Sequence, residues 1–161
     1  MTDVPALLRL LGSAQVEFIV VGGVAANAWG SARVTYDLDV VYRRTADNIE
    51  RLVAALAPQA PYLRGAPSGL PFRWGAEAVR NGLNFTLTTS LGDIDLLGEI
   101  VGGGRYEDLL PHSVTVSAFG AEPRILGLEK LIEVKRAAGR PRDLEAIAEL
   151  EALLEEQRRG A

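Results

Sequence analysis

Residues 36–42 read Tyr36-Asp37-Leu38-Asp39-Val40-Val41-Tyr42, and the alternation in this stretch decides the fold. Successive side chains of a strand leave opposite faces, so Asp37 and Asp39 share one face and Leu38 and Val40 the other. Two carboxylates this close repel, and each raises the other's pKa unless a cation lies between them. The stretch is therefore a half-buried strand carrying acids that invite a divalent ion.

Working toward the amino terminus, residues 16–21 (Val-Glu-Phe-Ile-Val-Val) form an apolar, β-branched run that ends on Gly22-Gly23. Residues 25–29 are alanine-rich and predict a short helix closed by Gly30. A further short helix is expected over residues 5–11, stopped at Gly12. Toward the carboxyl terminus, Thr45 is placed to cap a helix over 46–56, with Asn48 and Glu50 on its polar side. Pro58, Pro61, Pro67 and Pro71, with Gly65 and Gly69, then mark an irregular surface loop or lid.

The sheet resumes with an alternating strand at 84–89, a turn at Ser90-Leu91-Gly92, and a strand at 93–97. Asp95 lies between Ile94 and Leu96 in that strand, which makes it the third acid of the site, completing a cage for two ions about 3.5–4 Å apart; Asp93 points the same way and is held in reserve. Gly102-Gly103-Gly104 reads as a flexible connection. Residues 114–119 and 124–126 read as edge strands around Gly120. Two helices close the chain, at 128–138 and 141–158, separated by Gly139 and started again by Pro141. Strands first and helices last predict an α+β fold with helices packed on a mixed β-sheet and a C-terminal helical pair, not a doubly wound sheet. The chain reads as one domain over 1–161, with a core at about 16–126 and closing helices at about 127–159.

Composition limits the chemistry. Apolar residues make up 48% and charged residues 24% of the 161 residues, which is the balance of a folded protein. With no cysteine and a single histidine, His112, a metal must sit on oxygen ligands, which selects magnesium, with manganese as the substitute. A net charge of −4 excludes coating of nucleic acid through the overall field. The longest apolar run is too short to span a bilayer and the first residues carry no export signal, so no membrane partner and a cytoplasmic location are expected.

Gly22-Gly23, between a strand and a helix, leaves backbone N–H groups open to phosphate oxygens. Arg33 follows that helix and can pair with a triphosphate, and Thr35 adds a hydroxyl. A phosphate cradle beside an acidic cage is what phosphoryl or nucleotidyl transfer requires: charge neutralisation and in-line positioning, with little covalent work by side chains. The bland reading of each piece is ordinary: acid-hydrophobic-acid strands often face water, and Gly-Gly is mostly a turn. The order of the pieces is the signal. His112, Trp29 and Trp74 read as surface or packing residues, and the basic residues between 130 and 142 as either a solvated helix face or a substrate patch.

Val21-Gly22-Gly23, then Asp37-Leu38-Asp39-Val40, then Ile94-Asp95-Leu96 resembles the polymerase-β-type nucleotidyltransferase superfamily. Arg33 and Thr35, with the closing segment Lys135-Arg136 to Arg142-Asp143-Leu144, are similar to small bacterial nucleotidyltransferase-like proteins related to abortive-infection toxins. The resemblance covers roughly residues 16–150. It implies a nucleotidyltransferase-type sheet, magnesium on Asp37, Asp39 and Asp95, a triphosphate at Gly22 and Gly23, and nucleotide-binding roles for Lys135 and Asp143. It further implies a nucleoside triphosphate as substrate, tRNA or protein as acceptor, and a cognate antitoxin as partner. The chain departs from many toxins of that group in stopping soon after the closing segment. That departure raises the alternative of a catalytically silent nucleotide-binding or regulatory module.

Overall fold

The structure is a computed structural model and describes residues 1–160. Among the described residues one seven-stranded sheet carries the fold. Its strands are β1 (Phe18–Val21), β2 (Asp37–Tyr42), β3 (Tyr62–Leu63), β4 (Phe85–Thr89), β5 (Gly92–Leu97), β6 (Ser113–Thr115) and β7 (Arg124–Leu126). They lie in the order β3-β4-β5-β2-β1-β7-β6. The sheet is mixed: β2 runs parallel to β5 and β1 parallel to β7, while the other neighbours are antiparallel. The expected α+β class and mixed sheet are both present.

Alternation sets the two faces of the central strands. Leu38 pairs with Ile94 and Ile94 with Leu87, and all three side chains are fully buried. Val40 and Leu96 extend that apolar row. It joins one continuous core with Leu7, Leu8 and Leu11 of α1 (Val4–Ser13) and Ile49, Leu52 and Leu56 of α3 (Ala46–Leu56). Burial of this one face holds the register, since a slip by one residue would carry the acids into the core.

Local chemistry sets the helix ends. Asp3 caps α1 by accepting from Ala6 N at 3.1 Å, and Thr45 caps α3 by accepting from Asn48 N. α2 (Gly22–Ala28) begins directly at the glycine pair, three residues earlier than expected. α6 (Leu128–Ala138) ends at Gly139, and α7 (Pro141–Arg159) starts on Pro141. These two pack against each other, and α6 also touches α2. No described helix is long and apolar enough to cross a membrane.

Four expectations are corrected. The proline-rich stretch is not plain loop: it holds the edge strand β3, a 3-10 turn (Ala57–Gln59) and α4 (Ala76–Asn81). The glycine triplet is a tight turn in which Ile100 and Gly104 exchange backbone hydrogen bonds at 2.9 Å, not a flexible connection. A β-carbon on Gly102 would stand 2.3 Å from Ala137 Cβ, so the turn is packed onto α6. α5 (Tyr106–Leu109) follows it, and the strand expected over 114–119 is shortened to β6. Finally, Asn48 is fully buried and not on a polar face. Its amide accepts from Glu17 N at 2.6 Å and donates to Glu17 O and Arg43 O, fastening α3 to the start of β1 and the end of β2.

Candidate metal centre

The parallel register of β2 and β5 sets Asp37 beside Asp93 and Asp39 beside Asp95. In Asp37, Asp39 and Asp95, one carboxylate oxygen from each lies within 4.8 Å of the others. Asp93 shares their face but stands outside this group. Among the described residues it is the one such group of metal-ligating side chains. The antiparallel neighbour β4 extends both rows, with Thr86 beside Asp95 and Thr88 beside Asp93. The polar face of the sheet is therefore continuous across three strands.

Gly22 and Gly23 allow the close approach of this face to α2. Gly22 has φ +66°, and a β-carbon there would stand 2.3 Å from Asp39 Oδ2; one on Gly23 would stand 2.3 Å from Thr35 Cγ2. The glycine pair is thus required by packing against the acidic strand, apart from any phosphate. Thr35 donates its hydroxyl to Asn27 Oδ1 at 3.3 Å. Arg33 is half-exposed, with Nε 3.7 Å from Glu149 Oε1 on α7. Arg33 and Glu149, together with Gly23, Ser31 and Lys135, line a small hollow between α2, α6 and α7.

Lys135 on α6 lies between Asp143, 3.6 Å away, and the field of Asp39. Asp143 is almost fully buried, and Arg140 donates to it from its backbone N and from Nε and Nη2. These hydrogen bonds hold the Asp143 carboxyl below the usual carboxylate range. Its oxygens are committed to Arg140 and Lys135.

The electrostatics of the acids are those of a site built for a cation. Burial, then the charges of Asp37 and Asp95, push Asp39 up to about 8, against the opposing field of Lys135. Burial and then Asp95 also raise Asp37. Asp39 Oδ1 and Asp95 Oδ1 are buried with no hydrogen-bond partner. Orphaned oxygens converging from two strands, all hard donors, fit magnesium or manganese.

One residue of the site escaped the sequence. Arg64 continues the edge strand β3, where its N–H bonds Thr86 O at 2.9 Å, and its guanidinium reaches back over the acidic face. Nη1 lies 3.6 Å from Asp37 Oδ2, Nε 3.4 Å from Asp93 Oδ2 and Nη2 2.8 Å from Asp95 Oδ1. The contact with Asp95 is one of charge and lies off the hydrogen-bonding line; Nη2 donates instead to Leu87 O at 2.7 Å. The only signal in the sequence was Tyr62-Leu63-Arg64, a single alternation between Pro61 and Gly65. A larger cleft of about 660 Å³ opens at the other end of β1, lined by Arg9, Glu17, Tyr106 and Arg124, and holds none of the expected site residues.

The fold is a mixed sheet with its acidic strands paired at the centre, flanked by a glycine-started helix and closed by two helices. A crystal structure from Thermotoga maritima, named as that of a "putative nucleotidyltransferase", is similar to it along 97% of this chain and 96% of the other. The TM-score is 0.52 at 15% sequence identity, so the likeness is one of fold. No family model matches the sequence, and no curated protein matches it.

Proposed function

We propose that the chain is a magnesium-dependent nucleotidyltransferase that moves a nucleoside monophosphate from a nucleoside triphosphate to an acceptor. The observation that carries this reading is the convergence of Asp37, Asp39 and Asp95 oxygens, with Asp39 Oδ1 buried and without any hydrogen-bond partner, inside a fold of this type. Asp37, Asp39 and Asp95 would hold the ion, with manganese as a working substitute. Bound there, a divalent ion supplies neutralisation of triphosphate charge and acidifies an acceptor hydroxyl.

The chain's own groups account for the rest. Asp95 would help hold the ion that acidifies the acceptor hydroxyl, whose proton passes to solvent as its oxygen bonds to the α-phosphorus. The bond from that phosphorus to the bridging oxygen breaks, and pyrophosphate leaves with the electron pair. Backbone N–H groups at Gly22 and Gly23 would receive the phosphates, the Thr35 hydroxyl would reach them by giving up Asn27, and Arg33 and Lys135 would neutralise them. Asp143 acts through Lys135, whose ammonium it fixes in place.

The test is transfer of label from α-labelled nucleoside triphosphates to tRNA and to protein, with release of pyrophosphate. Asp39→Asn is expected to abolish both transfer and manganese-dependent nucleotide binding. Unchanged nucleotide binding in that variant would sink the assignment. Tail similarity to the abortive-infection group supports a cytoplasmic toxin held by an antitoxin. Growth arrest on expression, relieved by Asp39→Ala, checks that role. A silent nucleotide-binding module is favoured by one observation, the Arg64 guanidinium already lodged among the acids. Nucleotide binding without pyrophosphate release across the acceptor panel would decide for it.

A further inference from the structure

The acidic face holds four carboxylates, Asp37, Asp39, Asp93 and Asp95, and Arg64 reaches it from outside the acidic strands. Its guanidinium contacts Asp37, Asp93 and Asp95 and lies 2.8 Å from Asp95 Oδ1, so one side of the face already carries a positive charge.

Arg64 is not a loose surface side chain that an ion would sweep aside. Its backbone N–H is bonded to Thr86, its guanidinium is anchored on the carbonyl of Leu87, and its side chain is mostly covered. A guanidinium is also always protonated, and its planar fork is suited to sitting between carboxylates. Its nearest charge contact is Asp95, the acid on the strand away from Asp39 and Lys135.

We infer that Arg64 is a resident cation that takes the place of one of the two ions such a cage could hold, so that the nucleotide-free protein binds one divalent ion per chain, at Asp37, Asp39 and the remaining oxygen of Asp95. The inference rests on the reading of these acids as a metal site. It makes Arg64 a positioning residue: it fixes Asp95 and sets the stoichiometry of the site.

The experiment is manganese binding, counted by electron paramagnetic resonance of free ion during titration of the nucleotide-free full chain. One ion per chain is expected for the parent, two for Arg64→Gln, and one for Arg64→Lys, which retains the charge. The second ion in Arg64→Gln is also expected to broaden the bound manganese signal by spin coupling, as two ions about 4 Å apart do. Two ions in the parent, or one in Arg64→Gln with an unchanged melting profile, overturns the role of Arg64 and leaves the metal site standing. No ion in the parent overturns both. If Arg64→Gln fails to fold, the parent's count and Arg64→Lys still decide: two ions in either overturns the inference.

Discussion

Gly22 and Asp39 are in contact across a space that only a glycine leaves open. With φ at +66° and the Asp39 carboxylate lying 2.3 Å from where a β-carbon would be, residue 22 carries both a conformational and a steric demand. Gly22→Ala is therefore expected to cost about 1–3 kcal/mol. It is also expected to push the Asp39 carboxylate away from those of Asp37 and Asp95, weakening manganese binding at least tenfold. Thermal melting and a manganese titration measure the two effects. A variant that melts lower but binds manganese as the parent does would separate the glycine from the site.

The raised pKa of Asp39 gives the site a pH signature. The folded chain holds that proton up to about pH 8, whereas the unfolded chain releases it near 4. More protons are then bound in the folded state, so metal-free stability falls as pH rises from about 4 to about 8. Metal binding has the opposite sense. The ion must displace the proton, so affinity is expected to rise up to about tenfold per pH unit toward 8 and then level off. Calorimetric titration in buffers of different ionisation enthalpy counts the released proton. A flat affinity between pH 6 and 8 would contradict the assignment.

Asn48 offers a control for stability alone. Asn48→Ala leaves Glu17 N and Arg43 O without their buried partner, while Glu17 O keeps the Arg43 N–H at 3.1 Å. A loss of about 2–4 kcal/mol is expected, read from urea denaturation. Manganese affinity of the folded fraction should be unchanged, because these bonds lie at the far end of β1 and β2 from the acids.

Asp143 tests the closing helices. Asp143→Ala strands Arg140 and Lys135 without their shared acid, and a loss of about 1–2 kcal/mol is expected at neutral pH. Because the folded carboxyl titrates below its unfolded value, its contribution is full above about pH 4 and is lost as pH falls through the folded pKa. The gap between parent and variant should close in acid. Melting curves from pH 7 down to pH 2.5 follow it.

Much of this was legible in the chain because period-2 alternation is strong where one face is buried. Leu38, Val40, Ile94 and Leu96 named the core side, and Asp37, Asp39 and Asp95 followed on the other. The parallel register that brings Asp39 to Asp95 was not legible, since pairing between distant strands depends on the whole sheet. Arg64 was hidden by the shortness of β3, two residues among prolines, where alternation has no length in which to register. Asn48 was misplaced because its amide is satisfied by backbone atoms of Glu17 and Arg43, partners that exist only after folding. Thr86 and Thr88 were visible as alternating residues, but their place beside the acids needed the hairpin's register.

The parallel pairing of β2 with β5 has a kinetic side. Asp39 and Asp95 come from strands separated by α3, β3, α4 and β4, so they meet only when the middle of the chain has closed on itself. Such distant pairings form slowly, and here closure also forces like charges together. Divalent cations are thus expected to accelerate the last stage of refolding. Because the ion's ligands come from both strands, a bound ion ties β2 to β5, and unfolding of the sheet's centre must release it.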